Sequence, residues 1–136
     1  MKQVILTVAG VIGASLGWFL GPIDAIFIAL LVSSVVDYIT GIVCAINGVS
    51  EKTEGHGLSS QVGYKGILKK VVLFLVVGLL HFVEAGTGIP VRDAAVLAFL
   101  ANELISIIEN CGLLGIPMPQ KVKDVIEVLQ NDSDKS

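Results

Sequence analysis

The chain has 136 residues, the size of one ordinary domain, and 54% of them are hydrophobic, about 64% apolar once glycine is counted and tyrosine left out. Only 15% are charged, against about 25% in soluble domains, too few to hydrate the surface of a compact monomer, so a soluble enzyme is excluded. The net charge of −3 argues against nucleic acid, which is held by clustered Lys and Arg, and Cys44 and Cys111 lie too far apart in sequence for a disulfide framework or a zinc site.

A helix that crosses a bilayer needs about 20 mostly apolar residues to match about 30 Å of hydrocarbon. Four segments qualify as candidate spans. The first, about 4–22, lies in a stretch without charge from Gln3 to Ile23. Its apolar core is too long, and an A-x-A site too hard to find, for a cleaved signal peptide. The second, 25–47, has Asp37 as its one charge; the third, 67–84, contains the run from Val71 to Val83 and extends past Lys69 and Lys70, whose stems can snorkel. The fourth, 94–111, is the most polar, with Glu103 near its centre. Between the second and third, 49–66 is rich in glycine and polar residues and reads as a cytoplasmic loop. After Leu114, the stretch Gly115-Ile116-Pro117-Met118-Pro119 breaks the helix. Val122, Val125, Ile126 and Leu129 then recur at helical spacing, so 119–130 is expected as a short amphipathic cytoplasmic helix with a flexible tail, 131–136.

The expected fold is an all-α membrane protein: one domain of four transmembrane helices, alternatively three with the fourth segment lying on the membrane, plus the C-terminal helix. Positive residues stay on the cytoplasmic side during insertion. With four spans, Lys2, Lys52, Lys65, Lys69, Lys70, Lys121, Lys123 and Lys135 share one side and Arg92 alone is on the other. That bias puts both termini in the cytoplasm and assigns Lys52, Lys65, Lys69, Lys70, Lys121 and Lys123 as topology anchors, in contact with membrane lipids.

Small residues mark helix-packing faces, because they let backbones approach where lipid offers no hydrophobic drive between helices. Gly10, Gly13, Ala14, Gly17 and Gly21 form such a row in the first span, and Asp37, Gly41 and Ala45 in the second. Asp37 and Glu103 stand out for another reason, since a carboxylate at the centre of a membrane helix costs about 2.5–3.5 kcal/mol on insertion scales. With four spans the second and fourth both run inward, and the two acids then fall within about 3 Å of the same depth. Asn102, Glu103, Ser106, Glu109 and Asn110 repeat at three- to four-residue spacing along the fourth span, and such a polar stripe must face other protein or water. With Asp37 they are the candidate pore-lining or interface residues; the alternative is a helix at the membrane surface with its stripe among headgroups.

Signals for catalysis are weak. The glycines from Gly57 to Gly66 lack the G-x-x-x-x-G-K-[ST] spacing of a phosphate loop, and His56 and His81 are too far apart for a helical metal pair. His56 reads as a loop residue, His81 as an interfacial one, and the two cysteines as reduced packing residues. No catalytic residue, metal or cofactor is expected.

In its motifs the chain resembles the phage-lysis and toxin-secretion holins, a group that includes holin-like proteins of clostridia. The matching residues are Asp37-Tyr-Ile-Thr-Gly41 with Ala45-Ile46, then Ser59-Ser60, Gly63, Gly66-Ile67 and Lys69-Lys70. Further on come Glu103-Leu-Ile-Ser106-Ile-Ile-Glu109-Asn110, Gly112, Gly115-Ile116-Pro117-Met118-Pro119 and Lys123. The resemblance spans about residues 30 to 128 and implies a small phage-encoded protein that accumulates in the host cytoplasmic membrane. At a set time it assembles as a large homo-oligomer into holes through which endolysin, or a toxin, passes, in some cases restrained by an antiholin. The family has no catalytic residues, and its members are often described with three spans. Two other readings fit a small multi-span chain: a proton-coupled transporter or ion channel using an intramembrane carboxylate, and a membrane adaptor or antiholin acting through its loop or C-terminal helix.

Overall fold

The computed structural model describes residues 1–135, and every regular element among them is a helix. Helix α1 spans Lys2–Leu20, α2 Ala25–Ile46, α3 Ser60–Thr87, α4 Val91–Leu113 and α5 Gln120–Asp134. The breaks follow local chemistry. Gly21, at φ 81°, and Pro22 stop α1, because glycine accepts a left-handed backbone and proline has no amide to donate. Asp24 then caps α2 by accepting from the Phe27 amide at 3.0 Å. Gly48, Gly88 and Gly115, all with positive φ, end α2, α3 and α4.

Two expected boundaries move. The loop drawn over 49–66 is shorter, since Ser59 accepts from the Val62 amide and starts α3 at Ser60, making polar residues 60–66 the first turns of a long helix. The tail drawn from 131 is helical as far as Asp134, because no glycine or proline interrupts the chain after Pro119; the last residue of that expected tail, 136, lies outside the described residues.

Three helices, α1, α2 and α3, are long and apolar enough to cross a membrane. Their outward sides carry the exposed apolar residues, among them Val4, Ile12, Trp18, Val32, Ile39, Val72 and Leu79, a surface that water solvates poorly and acyl chains solvate well. This is a membrane protein with three apolar candidate spans. The segment expected as a fourth span is helical, α4 of 23 residues, but with Arg92, Asp93, Glu103 and Glu109 it is not among the helices apolar enough to cross.

Helix α4 is nonetheless the hub, packing on α2, α3 and α5, while α1 packs mainly on α3 and reaches the core through Leu20 at its end. The core is a cluster of Phe27 and Leu30 from α2, Val77 from α3, and Val96 and Leu100 from α4, with the Phe27 and Phe74 rings edge to face at 5.8 Å. Helix α1 buries no residue fully; its seat is Phe19, whose ring lies over Gly78 of α3, where a Cβ would overlap it.

Candidate functional site: a buried ion cluster between α2, α3 and α4

The two mid-helix acids meet on one cation. Asp37 in α2 and Glu103 in α4 each lie about halfway along their helices, and the Lys70 ammonium of α3 donates to Asp37 Oδ2 at 2.9 Å and to Glu103 Oε2 at 2.6 Å. All three side chains are largely shielded, at 11%, 12% and 18% exposed respectively. Two carboxylates and one ammonium leave a net negative charge, and Lys52, from the loop after α2, completes the balance: its Nζ is 3.8 Å from Asp37 Oδ1 and 3.3 Å from Ser106 Oγ. Desolvating such charges is costly, and it is tolerable here because each has an oppositely charged partner.

One turn nearer the Lys52 end, Asn110 of α4 extends the network. Its Nδ2 donates to Thr40 Oγ1 at 2.9 Å and lies 3.4 Å from both Asp37 Oδ1 and the Asp37 carbonyl. The Cys44 thiol donates to the Asn110 carbonyl at 3.4 Å, so the buried cysteine is a packing and hydrogen-bonding group of the α2–α4 seam. Asp37, Gly41 and Ala45, read from sequence as a small-residue row, face this seam: Ala45 is buried, and a Cβ on Gly41 would come within 3.9 Å of Asn110 Nδ2 and of Lys52 Nζ. Beside this row on α2, Tyr38 lies against Gly63 and Gly66 of α3, and its hydroxyl donates to the Gly63 carbonyl at 3.4 Å.

The five polar residues of α4 do not share one environment. Glu103, Ser106 and Asn110 turn toward α2 and α3, while Asn102 and Glu109 are exposed. The division is geometric, because at about 100° per residue positions 103, 106 and 110 fall on one side of the helix and 102 and 109 about a quarter-turn away. The lysines divide in the same manner. Lys52 and Lys70 turn onto the acids, whereas Lys65, Lys69, Lys121 and Lys123 stay exposed. The row Gly10, Gly13 and Gly17 on α1 borders open space, with Ala14 exposed between them, whereas Gly21, buried in the turn, packs closely on His81 and Arg92.

At the other end of the bundle is a residue that sequence reading took only as a count of charge. Arg92 is 1% exposed, at the start of α4. Its Nε donates to the Leu20 carbonyl at 2.9 Å, one guanidinium nitrogen to the Pro22 carbonyl at 2.7 Å, and the other to Asp93 at 2.9 Å. The guanidinium also lies 5.6 Å from the centroid of Phe27, and the Arg92 amide donates to Glu84 Oε2 at 3.0 Å. Arg92 thus satisfies backbone carbonyls left open at the end of α1 and ties the α1–α2 turn to α4. The available signal was that a lone Arg beside a Gly-Pro turn in an otherwise apolar chain needs acceptors.

His56 and His81 sit apart, and no group of three or more His, Cys, Asp or Glu among the described residues has the geometry to hold a metal ion. His56, at φ 61°, closes the α2–α3 loop through Nδ1 on the Ser50 carbonyl at 2.8 Å, and the loop so shaped presents Lys52 to Asp37.

Comparison with known proteins gives a consistent picture. A family profile described as the bacteriophage holin family matches residues 14–131. An uncharacterised protein of Halalkalibacterium halodurans is 34% identical, covering 99% of this chain and 100% of its own length. An uncharacterised 14.9 kDa protein of Clostridium perfringens is 37% identical over 88% of each chain. A probable holin of Bacillus phage phi105 is 29% identical over 78% of this chain and 75% of its own. No solved structure matches significantly.

Proposed function

Because the chain belongs to the bacteriophage holin family, we propose that it accumulates in the cytoplasmic membrane of a bacterial host and oligomerises there at a programmed time into holes that release an endolysin. The orientation follows from the lysine bias, with both termini cytoplasmic and α1 to α4 crossing in turn. Helix α4 enters the bilayer because its acid shares an ammonium with Asp37, which lies midway along an apolar span.

The observation that carries this reading is the Lys70 bridge. A resting hole-former must keep its polar groups away from lipid while it diffuses as a harmless subunit, and here Asp37, Glu103, Ser106 and Asn110 are satisfied inside the chain. A wet wall in the assembled state accommodates the same groups by hydrating them. Depolarisation or ordering of the array tips the balance between two states only a few kcal/mol apart, the range in which a single ligand or field effect changes the population. Endolysin is then a functional partner that passes through the hole and needs no docking surface on this chain.

Inducible expression in a bacterium, with and without a cytoplasmic endolysin that lacks an export signal, tests the proposal. Abrupt loss of membrane potential, with lysis only when endolysin is present, is expected. Continued growth with intact potential would remove the holin reading in favour of an adaptor or an antiholin; loss of potential without endolysin release would favour a channel of small-molecule size.

A further inference from the structure

The flank formed by α3 and α4 away from α1 and α2 carries charge of both signs and no partner. On α3 it exposes Lys65 and Lys69 beside Tyr64 and Val72; on α4 it exposes Asn102, Glu109 and Gly112. Among the described residues, Lys65, Lys69 and Glu109 make no ion pair within the chain. Glu109 lies four residues from the end of α4, toward the headgroup level, where a carboxylate and an ammonium that lack partners gain by meeting once water is partly excluded.

Helix geometry shows what this flank matches. Lys69 and Lys65 stand about 100° and 140° round α3 from Lys70, and Asn102 and Glu109 about 100° and 120° round α4 from Glu103. Lys70 and Glu103 touch, and the helices run antiparallel, so these rotations bring both sets to one side of the bundle. The other side of α3 is occupied: Ile67, Val71, Phe74 and Leu75 line a cleft with α1 and α2. Measured from the Lys70–Glu103 contact, Lys65 is five residues toward the Lys52 end of the bundle and Glu109 six, so the two charges lie within about 2 Å of one depth.

We infer that this flank is a self-complementary interface, in which α3 of one copy packs on α4 of a second copy and Lys65 of each pairs with Glu109 of the other. A two-fold axis along the membrane normal exchanges the two helices, so one patch satisfies both subunits and the contact closes as a dimer. Lys69 lies one turn and Asn102 two turns further in, about 3 Å apart in depth, within reach of the lysine stem. The pairing neutralises the exposed acid, and it leaves the open glycine row of α1 free for contacts that enlarge the assembly. This rests on the reading of α4 as membrane-embedded and of the protein as self-associating.

The test is energy transfer between copies labelled at the C-terminal tail, in membranes at expression below the lytic level, for wild type, Lys65→Glu, Glu109→Lys and the two variants mixed. Each variant alone places like charges at both contacts and is expected to lose about tenfold or more in association, the scale of close interfacial charge pairs. Mixed together, the two restore both pairs and are expected to associate as wild type does. Either variant alone pairing like wild type, or a mixture no better than its components, would overturn the interface. Emission from the single Trp18, on the far side of the bundle, reports whether each variant keeps its fold. Association is read without lysis, so a chain that pairs as described but never forms holes refutes the proposed function alone, and a chain that lyses with charge-independent pairing refutes this interface alone.

Discussion

Lys70 holds two shielded carboxylates, and removing it leaves both without their main partner. Breaking a buried pair by deleting one member costs about 3–5 kcal/mol. Lys70→Met, of similar length and no charge, should therefore lower the thermal stability of the protein in detergent or bicelles sharply. Adding Asp37→Asn and Glu103→Gln to Lys70→Met should recover much of the loss, because neutral amides are cheaper to bury than unpaired charges. Glu103→Gln alone keeps a hydrogen-bond acceptor and removes one charge, so it should shift lysis timing strongly while the fold persists; unchanged timing would sink the role given to the cluster. Arg92 makes a separate case. Arg92→Lys cannot reach the Leu20 and Pro22 carbonyls together, and losing one charge-assisted hydrogen bond of this kind costs about 1.5–3 kcal/mol. A lowered melting temperature is the expected readout.

Helix α1 is the least secured element. Its main seat is on α3, through Phe19 over Gly78, and it is tied at its end by the Arg92 bonds to Leu20 and Pro22. A methyl group at position 78 overlaps the Phe19 ring, and overpacking of this sort typically costs about 1–3 kcal/mol. Gly78→Ala should shift the emission of Trp18, whose ring packs at 5.1 Å on Phe82, and Phe19→Ala should partly restore it. Gly13→Ala meets nothing within 4 Å in the chain, so it should leave that emission unchanged; an effect on lysis would then report a contact between copies. Helix α5 reads differently: Ile126 seats it on α4 while Val122, Val125 and Val128 stay exposed beside lysines, an amphipathic face suited to the membrane surface.

At the scale of the whole molecule, the α1–α2 turn meets the start of α4 through Arg92, and the α2–α3 loop meets α4 through Lys52 and Ser106. The four long helices therefore run antiparallel in sequence order. With eight lysines toward one end and Arg92 at the other, both termini are expected on the cytoplasmic side, and protease added outside intact cells should leave a C-terminal tag untouched. If α4 instead lies on the surface, the tag becomes accessible and the Lys70 bridge to Glu103 has to be absent in the membrane.

Much of this was legible in the chain itself. Long apolar runs, broken by Gly-Pro and Gly-x-Pro turns, determined the helices and their order, because hydrocarbon thickness demands apolar length and proline is tolerated at a helix start but not in its interior. Asp37 and Glu103 announced themselves by their cost in lipid, and equal depth along the second and fourth helices, which run the same way, made them neighbours. Their common partner was not legible. Lys70 stands beside Lys69, and composition alone treats both as interfacial anchors; only the packing of α3 between two acids turns one inward and leaves the other out. The same holds for the polar residues of α4, whose spacing looks continuous in sequence but is divided by the direction from which α2 and α3 approach. Arg92 is the extreme case, a charge that orientation rules place outside the bilayer and that tertiary structure buries over backbone carbonyls. Local sequence determined where helices begin, end and carry charge, since those depend on neighbours in the chain. Which charges meet was decided by the tertiary structure, because an ion pair depends on rotation and depth of separate helices, and neither is encoded in any one of them.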